Sequence, residues 1–140
     1  NFEDQARRLS KEKAQVIAKK NPSAFVIGSD QTAEFNNKEV RKPLSIEKAL
    51  IQLSELSGQT LNFYSGVCLK NIQKNISTDA VVKFSVTYKK LSEEQIKNYL
   101  KMEDPTQCVG SIKSEGCRRS RTRAGRSEAA PPSSLCRSHS

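Results

Sequence analysis

The spacing of apolar positions divides the chain into helix-like and strand-like stretches joined by polar turns. Residues 4–20 carry Ala6, Leu9, Val16 and Ile17 at helical spacing, with Asp4 as a cap and Asn21-Pro22 as a stop, which predicts a helix with that face inward. Lys13 interrupts the stripe, four residues after Leu9 and four before Ile17. It either snorkels to water or is there for its chemistry. Ala24-Phe25-Val26-Ile27-Gly28 is a continuous apolar run, the pattern of a buried central strand. Thr32–Phe35 predicts a second strand ending in an Asn36-Asn37 turn. Residues 45–57 predict a helix capped by Ser45, buried through Ile46, Ala49, Leu50, Leu53 and Leu56, and ended by Gly58. Strands are expected over 59–70 and 78–90, where Val82, Phe84, Val86 and Tyr88 alternate with polar residues and so share one buried face. Ser92-Glu93-Glu94-Gln95 is a capping box opening a helix to about Met102, with Ile96, Tyr99 and Leu100 inward. Residues 108–116 read as a loop or short strand bounded by Gly and Ser. Helices thus alternate with strands and hairpin-like pairs, a mixed α/β class with one sheet.

Length sharpens this picture only slightly: 140 residues make one domain. No apolar run approaches the roughly 20 residues of a spanning helix, and the polar opening Asn1–Gln5 has no basic leader. Charge changes the picture more. The formal net charge is +9, but residues 1–116 account for +4 and the last 24 residues for +5. Those 24 residues hold six Arg and one acid, and no Lys, Asn, Ile, Phe or Tyr. The shift in vocabulary marks residues 117–140 as an Arg/Ser/Ala/Pro-rich tail foreign to the domain, expected to be disordered, since Leu135 is its only large apolar residue. A natural Arg-rich arm that binds nucleic acid is the rival reading of the tail. Four scattered cysteines (Cys68, Cys108, Cys117, Cys136) and one histidine, His139, argue against a disulfide scaffold and a zinc site.

Candidate chemistry begins at Asp30. A carboxylate after a buried strand stands where α/β folds place ligand crevices, and it can hold a divalent metal or take a proton from water. It can equally cap a turn. Lys13 and Lys42 have the compact charge that suits a polyphosphate, although a surface lysine needs no such role. Glu115, between Ser114 and Gly116, can accept two hydrogen bonds from a base edge, or be an ordinary loop acid. There is no P-loop, dinucleotide fingerprint or nucleophile elbow.

An ordered set of segments resembles the Maf family of nucleoside triphosphate pyrophosphatases. It comprises Lys11-Glu12-Lys13-Ala14, Val26-Ile27-Gly28-Ser29-Asp30-Gln31, Lys42-Pro43, Ala49 through Gly58, Tyr64-Ser65-Gly66-Val67, Phe84, Leu91-Ser92, Ile96 to Tyr99, Asp104-Pro105, Cys108-Val109-Gly110-Ser111 and Lys113-Ser114-Glu115-Gly116. Gln31 after the aspartate, with Ser111 through Gly116, is similar to the 7-methyl-GTP pyrophosphatase branch. The resemblance implies a Maf/ITPase-like α/β fold over 1–116, a mixed sheet flanked by helices, incomplete at both ends. A strand and a Ser-rich, Arg-Arg loop would precede Asn1, and a Gly-Leu-Pro-Leu-like ending would follow Gly116. Leu135-Cys136-Arg137-Ser138 suggests a shifted frame of that ending.

The resemblance implies a cytoplasmic house-cleaning hydrolase of a modified guanosine triphosphate, giving the monophosphate and pyrophosphate. Asp30 would be the catalytic proton acceptor and a ligand of Mg²⁺ or Mn²⁺, Lys13 and Lys42 would neutralise phosphate, and Gln31 and Glu115 would read the base. Guanine's adjacent donors match a carboxylate acceptor at Glu115. The partner is a nucleotide, with a homodimer implied and neither membrane nor nucleic acid. The chain as written is expected to be marginally stable and nearly inactive. The alternative is a non-catalytic nucleotide- or RNA-binding module using the basic tail, whose affinity would fall steeply with salt.

Overall fold

A computed structural model describes residues 1–111 and the backbone of a short strand at 136–139. Its elements are helices α1 (Phe2–Lys20), α2 (Ile46–Leu56) and α3 (Glu93–Met102), a single 3-10 turn (Val109–Ser111), and strands β1 (Val26–Phe35), β2 (Lys38–Val40), β3 (Thr60–Asn71), β4 (Ile76–Tyr88) and β5 (Cys136–His139). The sheet order is β2-β1-β3-β4-β5. The α/β class with one sheet is as expected. The sheet is antiparallel rather than mixed among the described residues: β1 pairs antiparallel with β3, and β4 with β5. The reason lies in the connections. Asn36-Asn37, both at positive φ (51° and 61°), fold β1 back into β2 as a tight hairpin. That reversal leaves α2 to deliver β3 antiparallel to β1. The chain forms two compact units, Asn1–Glu39 with Asn62–Phe84, and Val40–Leu61 with Ser85–Ser140.

In the first unit, α1 starts two residues earlier than its sequence pattern predicts, because Asn1 rather than Asp4 is the cap and accepts from Glu3 N. Its buried face also differs. Ala6, Ser10, Ala14 and Ala18 are inward, while Val16 and Ile17 are 56% and 48% exposed. Close approach decides this. A Cβ built on Gly28 would stand 2.4 Å from the Ser10 carbonyl oxygen and 2.8 Å from Ala14 Cβ, and one on Gly66 would stand 2.3 Å from the Ala6 carbonyl oxygen. With the helix backbone that near the sheet, only Ala and Ser fit between them. Ala14, Ala18, Val26 and Cys68 pack together there.

The run Ala24–Gly28 is not buried on both faces. The strand starts at Val26, buried or half-buried and exposed residues alternate as far as Gln31, and Ile27 is 71% exposed; only at Thr32 and Ala33 are both faces buried. Helix α1 covers one face only, so period two wins over the apolar run. The two strands expected at 24–28 and 32–35 are one ten-residue strand. Glu34 secures its end, its carboxylate accepting from Asn37 N at 2.7 Å and Asn62 Nδ2 at 3.0 Å. Val82 is likewise exposed rather than inward, whereas Phe84 stacks on Phe63 with ring centroids 5.0 Å apart.

Asp79 ties β4 to α1, accepting from Arg7 at 2.7 Å and pairing with Lys11 at 2.8 Å. The Lys11 hydrogen bond, then the Arg7 one, holds the Asp79 carboxyl below its ordinary value against the opposing effect of burial. A lowered folded pKa gives stability that is present above the unfolded value of about 4 and lost as pH falls through the folded one. Acid titration followed by circular dichroism is therefore expected to show Asp79→Asn less stable than the parent at pH 7, with the difference vanishing at low pH. A gap that persists at pH 2 would refute this linkage.

The second unit follows its sequence pattern closely. Ser45 caps α2, accepting from Lys48 N, and Ala49, Leu53 and Leu56 are buried, although Ile46 is exposed. Gly58 takes φ +70° past the helix end. The Ser92–Gln95 capping box opens α3, whose Ile96 and Tyr99 are buried. The Tyr88 hydroxyl donates to the Gly110 carbonyl at 2.8 Å, within the core. Glu115 and most of the tail 117–140 lie outside the described residues; Cys136–His139 pairs with Ser85–Tyr88.

Candidate active site

The close seat of α1 on Gly28 and Gly66 does more than fill space. Ala14 rests on Gly28, so Lys13, the preceding residue, is held beside β1. Two residues beyond Gly28 on the same face comes Asp30, which stands opposite Gly66 in the β1–β3 register. The Lys13 ammonium donates to the Asp30 carboxylate, and it lies 3.5 Å from the Ser29 carbonyl oxygen. The Lys13 side chain is 59% exposed and that of Asp30 only 16%. A withdrawn carboxylate is thus covered by a reachable cation, and an acceptor and an ammonium stand side by side at the surface.

Within the first unit, Gln31 does not join this pair. Gln31 follows Asp30 in a regular strand, so its side chain leaves from the opposite face. There its Nε2 donates to Ser65 Oγ at 2.9 Å. Lys42 belongs to the second unit, exposed in the irregular stretch before α2. Glu115 lies outside the described residues. Within Lys11-Glu12-Lys13 the two lysines part company, Lys11 going to Asp79 on β4 and Lys13 to Asp30 on β1. Asp79, and the seat that Gly28 and Gly66 together give α1, are what sequence reasoning missed. A lone acid in the alternating stretch 78–88 and the small residues at four-residue spacing in α1 were their only signals.

Among the described residues no group of three or more His, Cys, Asp and Glu side chains is gathered to hold a metal. Asp30 can serve as one protein ligand of a hard cation whose remaining oxygens come from water and phosphate, the usual situation for Mg²⁺ at polyphosphates. Among the same residues no helix is long and apolar enough to cross a membrane.

A family model described as "Maf-like protein" matches residues 1–122. Among curated proteins, the chain is similar to the 7-methyl-GTP pyrophosphatase of Nitrosococcus oceani, 47% identical over 109 residues, which are 78% of this chain and 55% of that protein. It is 44% identical over 115 residues to the enzyme of the same name from Hydrogenovibrio crunogenus, covering 81% of this chain and 56% of the relative. For that of Colwellia psychrerythraea the identity is 39% over 109 residues, 78% of this chain and 54% of the relative. The chain spans about half the length of the curated relatives it matches.

Proposed function

The chain belongs to the Maf family, and from that premise we propose that it carries the Asp30 half-site of a nucleoside triphosphate pyrophosphatase acting on 7-methyl-GTP. The observation that carries this reading is the Lys13–Asp30 pair, an acceptor and a cation brought together across 17 residues of sequence, in a chain whose relatives bear that enzyme's name. Water attacks the α-phosphorus, the bond to the α–β bridging oxygen breaks, and 7-methyl-GMP and pyrophosphate leave. Asp30 accepts the proton of the attacking water. Lys13 and Lys42 lower the cost of the negative charge gathering on the phosphates. Asp30 would hold a divalent ion, Mg²⁺ or Mn²⁺, which would supply further charge stabilisation when bound. The work is done on free nucleotides in the cytoplasm. The non-catalytic nucleotide- or RNA-binding alternative is not favoured, since the relatives carry an enzyme's name.

Because the relatives are longer, the test uses the chain extended at both ends with the matching segments of the Nitrosococcus oceani protein. Pyrophosphate release is expected to be faster from 7-methyl-GTP than from UTP or dTTP. No release from any of them overturns the reading.

Base choice is a separate prediction. On this reading Glu115→Gln leaves one acceptor where the carboxylate would offer two to guanine's adjacent donors, a loss of about 1.5–3 kcal/mol, the scale of a hydrogen bond to a charged group. It is expected to move the ranking of GTP, 7-methyl-GTP, dTTP and UTP toward the pyrimidines. Gln31→Thr should shift it less, since that side chain leaves the sheet on the face away from Asp30. A ranking unmoved by Glu115→Gln shows that the base is read elsewhere.

A further inference from the structure

We propose that Lys13 is a latch on Asp30, closed in the free protein and released by the incoming triphosphate, so that nucleotide and divalent ion favour each other's binding. The inference rests on the reading of Asp30 as the ligand-bearing carboxylate. The backbone at Lys13 is held by the Ala14–Gly28 contact, whereas its flexible four-carbon stem reaches out to solvent. Its ammonium occupies a carboxylate oxygen that a cation or a water molecule must use. Metal alone therefore has to displace the lysine. A triphosphate carries several negative charges, and it draws the exposed ammonium off the single charge of Asp30. Once the lysine has moved to phosphate, the carboxylate is open. Such coupling is reciprocal: the nucleotide tightens the ion by the same factor as the ion tightens the nucleotide. Exposed pairs are screened and contribute modestly, so the latch accounts for about a threefold to fivefold factor.

The test titrates the 140-residue chain with Mn²⁺, reading free ion by electron paramagnetic resonance, with and without α,β-methylene-GTP. Lys13→Met keeps the stem and removes the charge. It is expected to bind Mn²⁺ alone about threefold to fivefold tighter than the parent, and to show a nucleotide enhancement smaller by the same factor. Asp30→Asn should remove Mn²⁺ binding. Lys19→Met, on the same helix but away from the pair, should match the parent and so separate local release from net charge. Lys13→Met binding Mn²⁺ no tighter than the parent, Lys19→Met tightening it equally, or a parent that binds no Mn²⁺ each overturns the latch. The functional reading fails differently: tighter Mn²⁺ binding by Lys13→Met, with no turnover of 7-methyl-GTP by the extended chain, leaves the latch standing and removes the enzyme.

Discussion

Asp30→Asn in the extended chain is expected to reduce pyrophosphate release from 7-methyl-GTP at least ~100-fold, the scale of a lost general base. The amide keeps the size of the side chain and can still accept from Lys13. It cannot take a proton from water, and it is a poor ligand for a hard cation. The fold should tolerate the change, because the amide keeps the volume of the largely covered side chain and its partner Lys13 is exposed enough to turn to solvent. Matching melting curves for the two proteins, together with the lost turnover, would assign the effect to chemistry. Turnover within a few-fold of the parent would take Asp30 out of the mechanism.

Gly66→Ala is expected to have the largest effect on stability. The added methyl would meet the Ala6 carbonyl carbon at 2.7 Å and its oxygen at 2.3 Å, and these are backbone atoms that cannot rotate aside. Helix α1 must lift from β3. Overpacking of this kind costs about 1–3 kcal/mol and sometimes more, or a drop in Tm of roughly 4 °C per kcal/mol for a chain of this size. Gly28→Ala should act alike through the Ser10 carbonyl oxygen at 2.4 Å. Both should also weaken turnover in the extended chain, since lifting α1 carries Lys13 away from the phosphates it would neutralise beside Asp30. An unchanged Tm for Gly66→Ala would mean that the helix does not lie as close as the small-residue stripe implies.

The parts of the fold legible in the sequence are those settled by local hydrogen bonds. Ser45 and the Ser92–Gln95 box satisfy orphan amides within their own first turns, so α2 and α3 begin where the pattern says. Asn36-Asn37 marks its turn because asparagine tolerates the left-handed backbone that both residues adopt. Asp30 and Lys13 are also visible early, one as an acid after an apolar run and the other as a charge within an apolar stripe.

What the sequence pattern did not settle is which faces meet. Hydrophobicity favoured Val16 and Ile17 as the inward side of α1, yet the inward side is Ala6, Ser10, Ala14 and Ala18. Burial is decided by how near two backbones come, and two glycines on neighbouring strands let α1 come too near for branched side chains. The same rule acts on β1, where the apolar run suggested two covered faces and a single helix supplies one. It separates Asp30 from Gln31 as well. Adjacent letters in the sequence, they are on opposite sides of a pleated strand, while Lys13, 17 residues away, is in contact. Sequence by itself determined the three helices, the caps of α2 and α3, and the candidate acid. Only the tertiary structure, by setting the distance between helix and sheet, decided which cation reaches that acid.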